Sequence, residues 1–437
     1  SLADQARLTA MMLLERFLDE EVDASALAGL HDPNQVAMQS LIEVTSECER
    51  DRTILIEYVR GLDAQPQEVT FLILDALKAI PPENQIDLLR MLAQHDDFDV
   101  SARALHLLSQ NRTPQAVRAL QALAPTLHPS ARPTLQRALR KLALAGLSID
   151  PLPAPDPSWR VLVSPLDGRG NQSVWFLQER IEAQSDDKEC RFLSVLINDQ
   201  AGLQEAFGGE RVTGQHFPQP APAGTRHSVS LRESGFKLSL LEAGFDYGRR
   251  IVHRGLQLNF QRNVSTPLEY RLLNDFLWGY AFEPAAGAVD IPEIPLSRAR
   301  ALLARTAELL DLPDFATWFA QSDEIHARVH QLHRAAIRSN RPAAIPRHWL
   351  LELTENHFAD AATREMYRGR LQAMSEWLFL SRQEEPAHLA QAAAAAIGEA
   401  PPETHPFLLR LVQRGLIIAL AALTPAANRG DSHSPQE

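Results

Sequence analysis

The chain has 437 residues, of which 45% are hydrophobic and 22% are charged, a globular composition with enough apolar residues for two or three domains. Its formal net charge of −12 argues against a dedicated nucleic-acid-binding protein, for which a basic domain is expected. The only two cysteines, Cys48 and Cys190, exclude a disulfide framework and favour a reducing compartment, so we expect a cytoplasmic protein.

Residues 1–149 are predicted to form a stack of short helices. Apolar residues recur at spacings of three and four, and short connections that contain proline separate the helices. The clearest unit is His95–Leu123, in which two apolar helix faces flank a turn with Thr113 as N-cap and Pro114 as the first helical residue. Two short helices cannot bury their apolar faces alone, so they must stack on neighbours.

This unit resembles a HEAT repeat of the short bacterial kind, one of the armadillo-like helical repeats. The family pattern is D-x-x-V-R-x-x-A, a turn of small residues and then A-V-x-x-L. The matching residues are Asp97, Val100, Ala104, Pro114, Ala116, Val117 and Leu120. Ser101 stands where the family usually has Arg, and Ser101–Arg103 recurs as Ser130–Arg132 after 29 residues, close to the family period. The resemblance covers about the first third of the chain and implies a repeat scaffold without shared catalytic residues.

A change of pattern marks the middle of the chain. Residues 150–157 contain four prolines and are predicted to be a stiff, extended linker. Residues 158–290 are predicted to be a small α+β domain with a short antiparallel sheet, because strands with a period of two flank the turn sequence Asp167–Asn171. Trp159 and Trp175 lie on the two strands of this predicted hairpin, where we expect a cross-strand aromatic pair.

Cys190–Ile197 is predicted to be a third strand. A cap at Asn198 predicts a helix that ends at Gly208–Gly209, and Ser230–Glu233 has the pattern of a capping box that opens a long helix. The motif Thr266–Glu269 predicts another helix start.

Residues 291–427 are predicted to be a helical domain, and residues 428–437 a polar tail. The most apolar run, Gly415–Ala427, is shorter than the ~20 residues that a membrane-spanning helix needs, and we recognise no signal peptide. We therefore expect no membrane association. The fold class is mainly α, with a HEAT-like stack, a small α+β middle domain and a helical C-terminal region.

Charge is distributed unevenly along the predicted stack. Residues 1–99 contain 20 acids and 7 bases, a net of −13, whereas residues 100–149 contain no acid and have a net of +7. The seven bases are Arg103, Arg112, Arg118, Arg132, Arg137, Arg140 and Lys141. They could attract phosphates or an acidic protein surface, or pair with the acidic end of a second copy or with another domain. Two more stretches without acids, Tyr247–Leu268 and Ile325–Leu351, are also rich in arginine.

Three histidines of a predicted helix have spacings at which imidazoles can share an ion. They are His326, His330 and His333. Glu324 or Glu352 could supply an oxygen ligand, but neighbouring arginines disfavour a cation, so we predict no tight metal binding. The sequence contains no phosphate-binding loop, zinc-binding helix or nucleophile elbow, so we predict no catalytic residue and no cofactor.

The sequence therefore favours a non-enzymatic scaffold that binds a protein partner, or its own second copy, through the charged helical repeats. Two other functions stay open at this point. A nucleic-acid-binding protein would use the bases of residues 100–149, gathered on one concave face. An enzyme would need a cleft with convergent titratable groups where the middle domain meets the C-terminal helices.

Overall fold

The computed structural model describes residues 33–48, 50–179, 189–214, 217–230, 237–285, 287–292, 294–339 and 344–423. The first 32 residues of the predicted stack and the predicted polar tail lie outside these ranges. Short α-helices build the first part: α1 (Pro33–Cys48), α2 (Ile54–Asp63), α3 (Gln67–Ala76), α4 (Pro82–Leu92), α5 (Phe98–Leu108), α6 (Pro114–Leu123) and α7 (Arg132–Leu144).

Side-chain caps fix where the predicted repeat unit turns. Asp97 accepts the backbone N–H groups of the first turn of α5, and Thr113 Oγ1 accepts Ala116 N–H at 3.1 Å before Pro114 opens α6. Both predicted helices and the predicted N-cap Thr113 are confirmed. Ser101, at the position of the family's Arg, is buried, and its hydroxyl donates to the Ala93 carbonyl at 2.6 Å. This bond ties the start of α5 to the residue that follows α4.

The helices alternate between two layers. Helices α1, α3, α5 and α7 lie side by side in an outer layer, and α2, α4 and α6 form an inner layer. Leu89, Leu105 and Leu120 are completely buried. Because each helix packs on the next helix but one, no pair of helices has to bury its apolar face alone.

A sheet follows residues 147–156, which have no regular secondary structure. Its strands are β1 (Trp159–Val163), β2 (Asn171–Glu179), β3 (Glu189–Asn198), β4 (Gly202–Thr213), β5 (Arg226–Ser230) and β6 (Lys237–Ala243). In the described ranges they form one antiparallel sheet in the order β4-β3-β2-β1-β6-β5. The predicted β1–β2 hairpin and third strand are confirmed.

Helix α8 (Phe245–Arg262) packs on one face of this sheet. The close approach requires Gly255, since a Cβ there would lie 2.5 Å from the Leu203 side chain and 2.9 Å from Ile197. Asn259 fixes the helix further by accepting Leu203 N–H at 2.7 Å. The sheet therefore sets the position of α8.

Two of the predicted helices are wrong. After Asn198 the chain forms β4 instead of a helix, because the Asn198 side chain accepts the N–H groups of Gln200 and Ala201 in a turn. Ser230 ends β5, residues 231–236 lie outside the described residues, and the long helix begins at Phe245. Asparagine and serine side chains satisfy N–H groups in turns as well as at helix starts, so the cap pattern alone does not separate the two.

The expected pair of tryptophans is also wrong. Trp159 is opposite Gln178 and contacts Phe245 and Phe276 on the α8 side of the sheet. Trp175 is opposite Leu162 and belongs to the apolar cluster of the other face. Because Trp159 and Leu162 are an odd number of residues apart, their side chains point to opposite faces.

The rest of the described chain is helical, as predicted. Its helices are α9 (Leu268–Leu273), α10 (Asp275–Trp278), α11 (Leu296–Leu303), α12 (Asp323–Ser339), α13 (Arg347–His357), α14 (Ala361–Leu380), α15 (Glu384–Ile397) and α16 (Pro406–Leu423). The fold class is thus confirmed as mainly α, with an antiparallel sheet between two helical parts. The indole N–H groups of Trp318 and Trp377 donate to carbonyls of Leu166 and Val163, so the last helices are anchored at the β1–β2 hairpin.

Helix α16 is the one described helix long and apolar enough to cross a membrane. Phe407, Leu411 and Leu416 on one side of it are completely buried, and Arg414 donates to the carbonyl of Phe315 at 3.2 Å. These contacts bury one side of α16, whereas Ile417 and Ile418 are exposed.

Candidate functional site

The seven predicted bases lie on α5, α6, α7 and the turns that join them. Six of them are exposed, and Arg103 is half-buried. Arg103 contacts the carboxylate of Asp75. Within the described ranges it is the only one of the seven that forms an ion pair. We call these seven residues the basic segment.

The basic segment lies beside two histidines, His106 on α5 and His253 on α8. Arg103 and Lys141 lie on the outer layer near His106. The pKa of this histidine is lowered by its burial and then by the charges of Lys141, Arg103 and Lys78. Arg132, the first residue of α7, lies near His253 on α8, whose pKa is lowered by burial and then by the charge of Arg132.

The inner layer of the stack docks on α9 and α10 through a polar network that the sequence did not predict. Arg52, before α2, places Nη1 and Nη2 each 3.3 Å from carboxylate oxygens of Asp275, the first residue of α10. Its Nε lies 3.0 Å from Asp87, and its Nη1 lies 2.9 Å from Glu210 on β4. One arginine thus joins the stack, the sheet and α10.

Arg90 extends this network into the core. Its side chain is 4% exposed and donates to Asn274 Oδ1 at 2.9 Å, while Nη2 lies 3.3 Å from Asp275. Asn274 donates to Gln94 Oε1 at 2.6 Å, and Gln94 donates to the Arg271 carbonyl at 3.0 Å. Each of these buried polar side chains has a partner across the contact, as buried polar groups require.

The charges of the network change the titration of Asp275. Burial alone would raise the pKa of its carboxyl, but the charges and hydrogen bonds of Arg52 and Arg90 outweigh burial and lower this pKa to about 2. Asp275 is therefore ionised throughout the neutral range and holds the two guanidinium groups together.

The three candidate metal-binding histidines lie on α12. His326 and His330 are exposed, His333 is half-buried, and His326 Nδ1 lies 2.9 Å from the carbonyl of Ser322. The two carboxylates considered as further ligands have other partners, since Glu324 accepts from Asn356 at 3.1 Å and Glu352 from Arg328 at 2.8 Å. In the part of the chain that the structure describes, no three potential ligands converge on one point.

We therefore keep the prediction that this helix binds no metal tightly. Protein purified without added metal is expected to retain zinc or iron far below one equivalent, as measured by elemental analysis. Retention near one equivalent that is lost in His330→Ala would contradict it.

A cleft of about 610 Å³ lies where the sheet and α8 meet α14. The apolar residues that line it are Leu166, Ile197, Ile251, Leu258, Met366 and Ala373. This junction is the place where the enzyme alternative required a cleft, so its titratable groups decide what the cleft can do.

The carboxylates of Asp199 and Glu376 are engaged in ion pairs that hold α14 in place. Arg370 is 5% exposed and binds both carboxylate oxygens of Asp199 at 2.6 and 3.0 Å, as well as the carbonyls of Gly168 and Arg169. Arg250 on α8 contacts Glu376 on α14. Burial raises the pKa of Asp199 above its ordinary value, although Arg370 acts in the opposite direction. These carboxylates contribute to the structure, and their pairing does not resemble a poised acid–base pair.

Comparison of the chain with protein-family models, with curated proteins and with solved structures finds no significant match.

Proposed function

We propose that this chain is a non-enzymatic interaction protein of the cytoplasm, and that its helical stack binds an acidic protein partner through the basic segment. The observation that carries the proposal is the exposure of the basic segment. Six cations project into solvent with no carboxylate partner among the residues described. Exposed like charges contribute little to folding, but they accelerate the encounter with a partner of opposite charge.

The other arginine-rich stretches differ from the basic segment in this respect. Arg249 pairs with Asp246, Arg250 with Glu376 and Arg328 with Glu352. Part of the positive charge of these stretches is therefore neutralised inside the molecule, whereas in the basic segment only Arg103 pairs with a carboxylate of the described residues.

The stack itself supports the proposal. Its two alternating layers and its short capped turns are the arrangement that HEAT-like repeats use, which favours the resemblance of His95–Leu123 to that family. Repeat stacks of this kind present an extended surface to a partner and carry no common catalytic chemistry.

Replacing Arg118, Arg137 and Arg140 together by Glu is expected to abolish salt-sensitive binding of the full chain to an acidic probe, such as a fluorescent oligoglutamate. The melting temperature should stay nearly unchanged, because exposed charges contribute about 0–1 kcal/mol per pair to stability. Fluorescence anisotropy at two salt concentrations and thermal unfolding measure the two effects. Binding by the wild type should weaken with salt, since screening acts over ~8 Å at physiological ionic strength.

The matched control replaces Arg334, Arg338 and Arg347, which are also exposed, by Glu and causes the same change in net charge. Equal loss of binding in this control would show that only net charge matters and would contradict the proposal. A marked loss of stability in the first variant would instead show that its arginines pair within the chain.

Two other partners are outcomes of the same experiment. Tight binding of duplex or single-stranded DNA by the wild type, lost in the first variant, would establish the nucleic-acid alternative. A concentration-dependent dimer that the first variant loses, measured by light scattering, would make the acidic partner a second copy of this chain.

A further inference from the structure

The cleft between α8 and α14 is long and open along its length. Its lining extends along α8 from Tyr247 to Gln261, which at 1.5 Å per residue is about 21 Å. The contact of Arg250 with Glu376 ties the two helices together at the Tyr247 end. The volume of about 610 Å³ is that of sites that bind small organic molecules.

Each wall of the cleft contains a glycine, but the two glycines differ in their surroundings. Gly255 on α8 is required by its contact with the sheet. Gly369 on α14 has no such reason, because a Cβ at this position would meet no atom within 4 Å. Glycine in the interior of a helix is less stable than alanine. The missing side chain at Gly369 serves no packing contact, and its effect is to widen the cleft.

The polar groups of the cleft are balanced except for one cation. The carboxylates of Asp199, Glu365 and Glu376 each pair with an arginine. Arg254 also lines the cleft, is exposed, and makes no ion pair or hydrogen bond with any residue in the described ranges. An apolar cleft with one uncompensated guanidinium group is complementary to a molecule with an apolar body and one acidic group.

We propose that the cleft between α8 and α14 binds an elongated amphipathic organic acid, with its apolar chain along Ile251, Leu258 and Met366 and its acidic group at Arg254. The lining of the site includes no residue of the basic segment, so the two proposals are tested independently. It involves no covalent step.

The test uses the full chain and the fluorescent apolar anion 8-anilinonaphthalene-1-sulfonate, displaced by dodecanoate or by dodecyltrimethylammonium. We expect saturable binding of the probe at one site, displacement by the carboxylate and no displacement by the cation of equal chain length. Arg254→Gln should weaken dodecanoate about tenfold, the effect of losing one charge-assisted hydrogen bond. Gly369→Trp should abolish binding because the indole occupies the cleft.

Gly369→Ala is the matched control, and it should keep binding while it raises the melting temperature by about 1–3 °C. Retained thermal stability of Gly369→Trp shows that any loss of binding comes from the filled cleft and not from unfolding. The proposal is contradicted if the wild type binds no probe, if the cation displaces it as well as dodecanoate does, or if Arg254→Gln and Gly369→Trp both bind like the wild type.

Discussion

Replacing Asp275 by Asn is expected to lower the free energy of unfolding by about 3 kcal/mol, near the lower end of the range for breaking a buried ion pair. The substitution leaves Arg90, which is 4% exposed, with one carboxylate fewer, and it removes the charge that joins Arg52 to α10. We expect a loss of stability near the lower end of this range because the Asp275 side chain is still 29% exposed to solvent. Chemical denaturation at neutral pH measures it.

The pH dependence of this effect has a defined sign. The pKa of Asp275 is lowered to about 2 in the folded protein, so its contribution is present above the unfolded pKa, near 4, and is lost as pH falls toward 2. The difference between wild type and Asp275→Asn should therefore shrink over this window. Glu57→Gln, at an exposed pair with Arg60, is the control and should change stability by less than about 1 kcal/mol. Equal effects of the two substitutions at neutral pH would rule out a stabilising role of the network.

Replacing Arg370 by Met is expected to destabilise the fold by about 3–4 kcal/mol, because it leaves the Asp199 carboxylate and two carbonyls without their donor. Methionine retains the apolar part of the side chain, so the loss of stability measures the contribution of the polar contacts more than that of the packing. Thermal and chemical unfolding of the full chain measure it.

The cost of Arg370→Met should fall as the solution becomes more acidic. Burial raises the pKa of Asp199 in the folded protein, and without Arg370 this pKa should rise further, so the variant gains stability as the carboxyl is protonated. Arg368→Met, two residues before Arg370 and at an exposed pair with Glu365, is the control and should change stability by less than about 1 kcal/mol at any pH. A cost that is independent of pH would mean that Asp199 does not carry the effect.

The helical stack could be predicted from the sequence because its signals are local. The two adjacent residues Thr113 and Pro114 mark the start of a helix, and the apolar residues that follow recur with the helical period. The β1–β2 hairpin is local as well, since the turn and both strands lie within about twenty residues. Such elements need no knowledge of the rest of the chain.

Strand β4 could not be predicted because its partner decides its conformation. Residues that satisfy a helix pattern after Asn198 pair instead with β3, and Gly208, expected to end a helix, lies opposite Leu193 in the sheet. The predicted pair of Trp159 with Trp175 was wrong for a related reason. The register, which a single strand does not reveal, places it opposite Gln178 on the other face from Trp175.

The candidate sites were accessible to sequence analysis only in part. The charge of the basic segment can be counted in the sequence, but the lack of nearby carboxylates depends on the packing. Arg52 and Asp275 are 223 residues apart, and Arg370 and Asp199 are 171 apart, so no local pattern links them. Gly369 is an ordinary helical position in the sequence, and only the structure places it on the wall of a cleft.

The docking of the stack gives the three parts of the chain one connected core. Buried residues from the stack, the sheet and the last helices belong to the same apolar cluster. In a fragment of residues 1–149, Arg90 and Gln94 would lose their partners. The fixed docking orients the basic segment relative to the rest of the molecule.

Affinity capture from a nuclease-treated lysate of the native host tests the central claim most directly. Three proteins are compared: the wild type, the Arg118/Arg137/Arg140→Glu variant and the Arg334/Arg338/Arg347→Glu control. We predict that an acidic protein is retained by the wild type and by the control, is lost from the first variant, and is released from the wild type by salt. Capture of the same proteins by all three chains, or capture that nuclease abolishes, would contradict the proposal that the basic segment binds an acidic protein.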